Sequence, residues 1–146
     1  MEAKELIMVV AAIAGVLISL RKLKVAWTII SVGMLAGIVL WVLGIETIET
    51  SVYFGFVALA FLMALFGKGL TPANRFVIAL IAAFVFAGEV ALFMQWPYEK
   101  YLRYAMILPF GIYISALLGK PGISAGKGCI TIMAADAAYM FVDTLF

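Results

Sequence analysis

The sequence predicts an all-α fold: a polytopic membrane bundle of about six transmembrane helices arranged as tandem hairpins. Three observations predict it. Of the 146 residues, 67% are hydrophobic and only 12% charged, where a soluble domain carries roughly 45–50% apolar and 25% charged residues. The apolar residues gather into six stretches separated by short polar gaps. Basic charge fills every second gap: Arg21, Lys22 and Lys24 in the first, Lys68 and Arg75 in the third, Lys120 and Lys127 in the fifth. Glu46, Glu49 and Glu99 mark the second and fourth gaps, with Lys100 and Arg103 beside them. This is the positive-inside alternation of a multispanning chain. The apolar surface is too large for a soluble core of this volume, so lipid must cover much of it. One transmembrane domain, 1–146, is the simplest organisation.

The expected spans are residues 6–20, 25–45, 52–66, 76–96, 102–118 and 129–146. The segment before the first span, Met1-Glu2-Ala3-Lys4-Glu5, has no basic run and no small-residue cleavage site follows, so the span is expected to be retained. A helix rises about 1.5 Å per residue and must cross about 30 Å of hydrocarbon. The second and fourth spans do so comfortably. The first, third and fifth are short and must recruit flanking residues, thin the bilayer or lean on neighbours. Trp41, Tyr53, Trp96, Tyr98, Tyr101 and Tyr104 are expected at the outer boundary and Trp27 at the inner one. Pro97 is expected to end the fourth helix. Glu99 and Arg103, four apart, are placed to pair on an interfacial turn of helix or a partner-docking surface. The sixth span contains Asp136 and Asp143. A central Asp costs about 2.5–3.5 kcal/mol to insert, so this span requires other helices that solvate its carboxyl groups.

Two loops resemble each other. Ala64-Leu65-Phe66-Gly67-Lys68-Gly69 parallels Ala116-Leu117-Leu118-Gly119-Lys120-Pro121-Gly122, and Glu89 and Asp143 follow at similar distances. Either hairpins of about 50 residues are repeated in tandem, or both loops use the glycine that commonly closes a helix.

Seven of the ten Lys and Arg residues fall in the first, third and fifth gaps, which carry no Asp or Glu. That side is expected to face the cytoplasm, with both termini outside, in a prokaryotic cytoplasmic (inner) membrane. No long basic run suggests nucleic acid. With no His and a single Cys, Cys129, the chain has no means to hold haem through His, to build a Cys/His zinc site or to close an internal disulfide. A Ser or Cys nucleophile would lack its usual base. The loop Gly119–Gly128 fails as a phosphate-binding loop, because Pro121 takes the first Gly position of GxxxxGK and Gly128 the Ser/Thr position. No catalytic residue, metal or cofactor is therefore expected.

The candidate functional residues are carboxyl groups within the spans. Asp136 lies about 12 Å along its helix from Gly128, and Glu89 about 21 Å from Arg75, with Asp143 at similar depth. Ionisable groups at such depth mark solute pathways, proton relays or interhelical hydrogen bonds. Cys129, Asp136 and Asp143 are seven apart and return to one helical face, flanked by Tyr139 and Met140. This face either lines a polar path or joins the helix to its neighbours. No Lys or Arg lies deep in a span; Tyr113, Ser115, Thr131, Ser31 and Thr28 are the candidate neutral partners. Gly33 and Gly37 form a GxxxG pair, and Ala11/Gly15, Ala60/Ala64 and Ala134/Ala138 repeat its spacing. Such pairs let helices touch, within the bundle or between chains. The expected function is translocation of an ion or small solute, by an oligomer of this chain or by one subunit of a larger membrane complex, with Asp136, Glu89, Asp143 and Tyr139 as polar lining. A non-catalytic structural or assembly subunit is the alternative.

Overall fold

Helix ends are set by local chemistry that hydropathy does not register. The computed structural model describes residues 3–21, 24–119 and 126–145. Among these the chain is helical with no strand: α1 (Ala3–Arg21), α2 (Val25–Val42), α3 (Glu46–Phe66), α4 (Pro72–Phe93), α5 (Glu99–Ala105), α6 (Ile107–Leu118) and α7 (Lys127–Leu145). The side chains of Lys22, Glu46, Glu49 and Lys120, and the middle of the Gly119–Gly128 loop, lie outside the described residues.

The second and fourth helices stop short of residues 45 and 96, where hydropathy placed their ends, and for one reason. After α2 the Gly44 N–H donates to the Trp41 carbonyl (2.8 Å) and the Ile45 N–H to that of Leu40 (3.1 Å), with Gly44 at φ +74°. After α4 the Gln95 N–H donates to the Leu92 carbonyl (3.2 Å) and the Trp96 N–H to that of Ala91 (3.0 Å), with Gln95 at φ +48°. Both are Schellman closures, which satisfy the last carbonyls by turning one residue left-handed. Pro97 therefore follows a helix already closed. Gln95 holds this conformation with a side chain, which costs energy that glycine avoids. Gln95→Gly is expected to stabilise the protein by about 0.5–1 kcal/mol, read as a higher thermal midpoint in detergent. A lower midpoint would show that the Gln side chain holds the turn.

Helices α3 and α4 begin earlier than their apolar runs. Thr71 caps α4, its Oγ1 accepting from the Asn74 N–H at 3.3 Å, with Pro72 in the first turn; Pro is pre-shaped for that position. Gly67 and Gly119 are the C-caps of α3 and α6, both extended, near φ −64° and −68°. The two similar loops thus leave their helices in the same way. Arg75 reaches back to the carbonyls of Gly67 (2.6 Å) and Leu65 (3.3 Å), covering the end of α3. The fifth stretch is broken at Met106. Pro109 has no N–H to give the Ala105 carbonyl, and a helix opens where that bond is missing.

Each helix touches the next in sequence, and α7 touches α1, α2, α4, α5 and α6. The sixth span, the least apolar, is thus the centre of the bundle. Half of its residues are buried, against 11% for Glu99–Leu118. Small residues make this possible. A Cβ on Gly15 of α1 would lie 2.7 Å from the Gly128 carbonyl, and one on Gly128 would strike Gly15 and the Ser19 hydroxyl. Ser19 and Ser31 share a buried hydrogen bond of 2.8 Å across α1 and α2. The same end gathers the start of α7, where Gly126 packs on Trp27 and Ile78. Trp27 is consequently buried, not at a lipid boundary.

Among the described residues four helical stretches are long and apolar enough to cross a membrane: Val25–Val42, Pro72–Phe93, Glu99–Leu118 and Lys127–Leu145. Thr50–Phe66 is apolar but shorter. The outer faces carry exposed Ile7, Val10, Leu17, Phe66, Phe76 and Leu118, a density of apolar surface foreign to a water-facing monomer.

Candidate functional site

The ends of the helices opposite Arg21, Lys24, Lys68 and Lys127 enclose a half-open cavity of about 310 Å³. Antiparallel neighbours bring together the start of α1 (Met8), the end of α2 (Gly37 to Trp41), the start of α3 (Thr50, Tyr53), the end of α4 (Glu89 to Phe93), Arg103 of α5 and the last turns of α7. Asp136, Glu89, Asp143 and Tyr139 all line it. Charge is therefore divided unequally: Arg21, Lys24, Lys68 and Lys127 lie at one end, and three carboxyl groups with Arg103 surround a cavity at the other.

Asp136 is the innermost of these groups, only 6% exposed. Its Oδ2 accepts a hydrogen bond of 2.9 Å from the Tyr53 hydroxyl of α3. Tyr53, 7% exposed, is thus not a boundary aromatic; it faces the central helix. Gly37 allows this. Its missing side chain leaves room for the Tyr53 backbone, which a Cβ there would approach to 3.0 Å or less. Trp41 and Tyr139 meet edge to face, with centroids 5.3 Å apart and planes at 76°. Trp41 also belongs to the cavity wall and not to the outer rim. The rim aromatics are Trp96, Tyr98, Tyr101 and Tyr104, all exposed.

Four of the five neutral partners expected from sequence, Tyr113, Thr131, Ser31 and Thr28, are engaged elsewhere. Tyr113 and Thr131 share a hydrogen bond of 3.0 Å, and Thr131 also donates to the Lys127 carbonyl at 2.7 Å. Ser31 donates to the Trp27 carbonyl (2.9 Å) and Thr28 to that of Lys24 (3.3 Å). The seven-residue stripe divides in two. Asp136 and Asp143 face the cavity, whereas the buried Cys129 thiol donates to the Met34 sulfur at 3.7 Å.

Arg103 supplies the cation that the spans themselves lack. Its Nη1 pairs with Asp143 Oδ2 at 3.0 Å, and its Nη2 with Glu99 at 2.5 Å. The pair with Glu99 is the expected one; the bridge to Asp143, forty residues on, is not visible in sequence spacing. Arg103 Nε is buried with no hydrogen-bond partner among the described residues.

No family model matches this chain, and neither a curated protein nor a solved structure does. Its chemistry must be read from the cavity. Among the described residues no three of His, Cys, Asp or Glu are gathered as a metal-ligating group, so the carboxyl groups are spread around the wall and not focused on one point.

Proposed function

We propose that the chain is a polytopic membrane protein of six crossing helices that translocates an ion or small solute, by itself or as a subunit of a larger assembly. The observation that supports this reading is a cavity that gathers Asp136, Glu89 and Asp143 with Arg103. Ionisable groups at this depth are costly, and they collect where a membrane protein handles charge or polar solute. A purely structural subunit would be expected to fill that space with side chains.

The α5–α6 break lets a short chain place Arg103 beside the central helix while α5 and α6 together, Glu99–Leu118, are long enough to cross the bilayer. Helices α1 and α3 cross beside the four longer stretches, packed on α2 and, for α1, on α7. With the basic end in the cytoplasm, the cavity opens outward. The protein reconstituted in vesicles is expected to dissipate an imposed proton or monovalent-cation gradient faster than protein-free vesicles. Equal rates under every gradient would remove the proposal and leave the structural role.

A further inference from the structure

The wall of the cavity has a composition more selective than polarity alone. Three carboxyl groups, those of Glu89, Asp136 and Asp143, face it together with one guanidinium, that of Arg103. Arg103 is itself held by Asp143 and Glu99, so it does not present a free positive face to an incoming anion. Much of the remaining wall is aromatic or aliphatic: Trp41, Tyr53, Tyr139 and Phe93 with Met8 and Met140. Trp41 and Tyr139 meet near a right angle and make an aromatic corner. Aromatic faces attract cations, ammonium groups above all. A bare metal ion would need several oxygens converging on one point, and the described carboxyl groups do not converge in that way. At about 310 Å³ the space sits at the lower end of ligand cavities, roughly 300–1,000 Å³.

We propose that this cavity binds a small organic cation, an amine or quaternary ammonium, with its charged head held between the carboxyl groups of Glu89 and Asp136 and the aromatic Trp41–Tyr139 corner and its apolar substituents against the rest of the apolar wall. This deepens the translocation reading by naming its substrate class, and it rests on that reading only for the transport step. The site has one negative end and one apolar wall, and such a ligand satisfies both. An inorganic monovalent ion would leave the wall unused. An organic anion of the same size would meet the carboxyl groups.

Titration calorimetry on the purified full-length protein in mild detergent tests this, with benzyltrimethylammonium as the probe and benzoate and potassium as comparators. Saturable binding of benzyltrimethylammonium is expected, and none of benzoate. Asp136→Asn and Glu89→Gln are each expected to weaken it about tenfold. Trp41→Leu is expected to weaken it to a similar degree while Trp41→Phe, which keeps an aromatic face, stays within about threefold of the parent. Variants are compared only where their elution from a sizing column matches the parent. Benzoate binding as tightly as the cation, potassium displacing it at equal concentration, or Trp41→Leu binding like the parent would each overturn the proposal. So would the absence of saturable heat with the cation. The vesicle assay, run with an imposed benzyltrimethylammonium gradient beside the proton and inorganic-cation ones, separates the two readings. Gradient dissipation without benzyltrimethylammonium binding removes the substrate class and leaves translocation standing. Binding without dissipation removes translocation and leaves the cation site.

Discussion

Asp136→Asn is expected to abolish translocation while leaving the bundle assembled, and Asp136→Leu is expected to weaken assembly itself. The difference follows from the single hydrogen bond at the centre of the fold. Tyr53 donates to Asp136 Oδ2 at 2.9 Å between two buried groups. Asparagine has nearly the same shape and keeps an oxygen that accepts from Tyr53, so the contact of α3 with α7 survives. It loses the carboxyl group that a proton or a cation would exchange with. Leucine offers no acceptor, and an abandoned buried hydroxyl costs about 1–3 kcal/mol. Flux in vesicles and sizing-column behaviour, measured on the same preparations, separate the two effects. An Asn variant with parental flux and parental pH dependence would show that Asp136 serves only to join helices. A Leu variant as stable as the parent would show that the hydrogen bond contributes little to the fold.

The six apolar stretches and their order were legible because lipid and buried core both demand apolar residues at helix length. Their ends were not. Schellman closures at Gly44 and Gln95 end α2 and α4 before the apolar run does, and the caps of α3 and α4 begin helices inside the polar gaps. The α5–α6 break had a local signal in Pro109, whose missing N–H opens the turn before it. The position of α7 was half legible. Its low hydropathy required a protein environment, which five other helices supply, but hydropathy does not say which span becomes the centre.

Within the site, depth along each helix placed Asp136 near the middle and Glu89 and Asp143 towards one end, because depth depends only on the rise per residue, and all three line one cavity. Their partners were not legible. Tyr53 lies near a span boundary in sequence, where aromatic residues usually mark the interface. Only the close packing of α3 on α2, with Gly37 beneath Tyr53, turns it inward so that its hydroxyl reaches α7. Arg103 sits in a short helix outside every deep segment and joins Asp143 only because α5 packs on α7. Pairings across 40 or 83 residues are properties of the tertiary fold and leave no spacing signal behind.

Gly37→Ala is expected to impair the site, although Gly33 and Gly37 share one face of α2 and one sequence motif. Both contact α3, but they meet different parts of it. A Cβ on Gly33 would enter the ring of Phe56, a half-buried side chain that can swing aside. A Cβ on Gly37 would stand 2.7 Å from the Cβ of Tyr53 and 3.0 Å from its Cα and N. Backbone cannot swing aside, so α3 itself must shift, and with it the hydroxyl that reaches Asp136. Over-packing of this kind costs about 1–3 kcal/mol. Gly37→Ala should therefore lower both the thermal midpoint and the flux, whereas Gly33→Ala should lower the midpoint with less effect on flux. Leucine at either position should disrupt the bundle. Gly55 of α3 and Gly111 of α6 are the internal controls, since a Cβ at either meets nothing within 4 Å; alanine or leucine there should be mild. Parental midpoint and flux in Gly37→Ala would show that α2 and α3 do not touch at this point. The path from a missing methyl group to the orientation of Tyr53, and from there to Asp136, would then have to be redrawn.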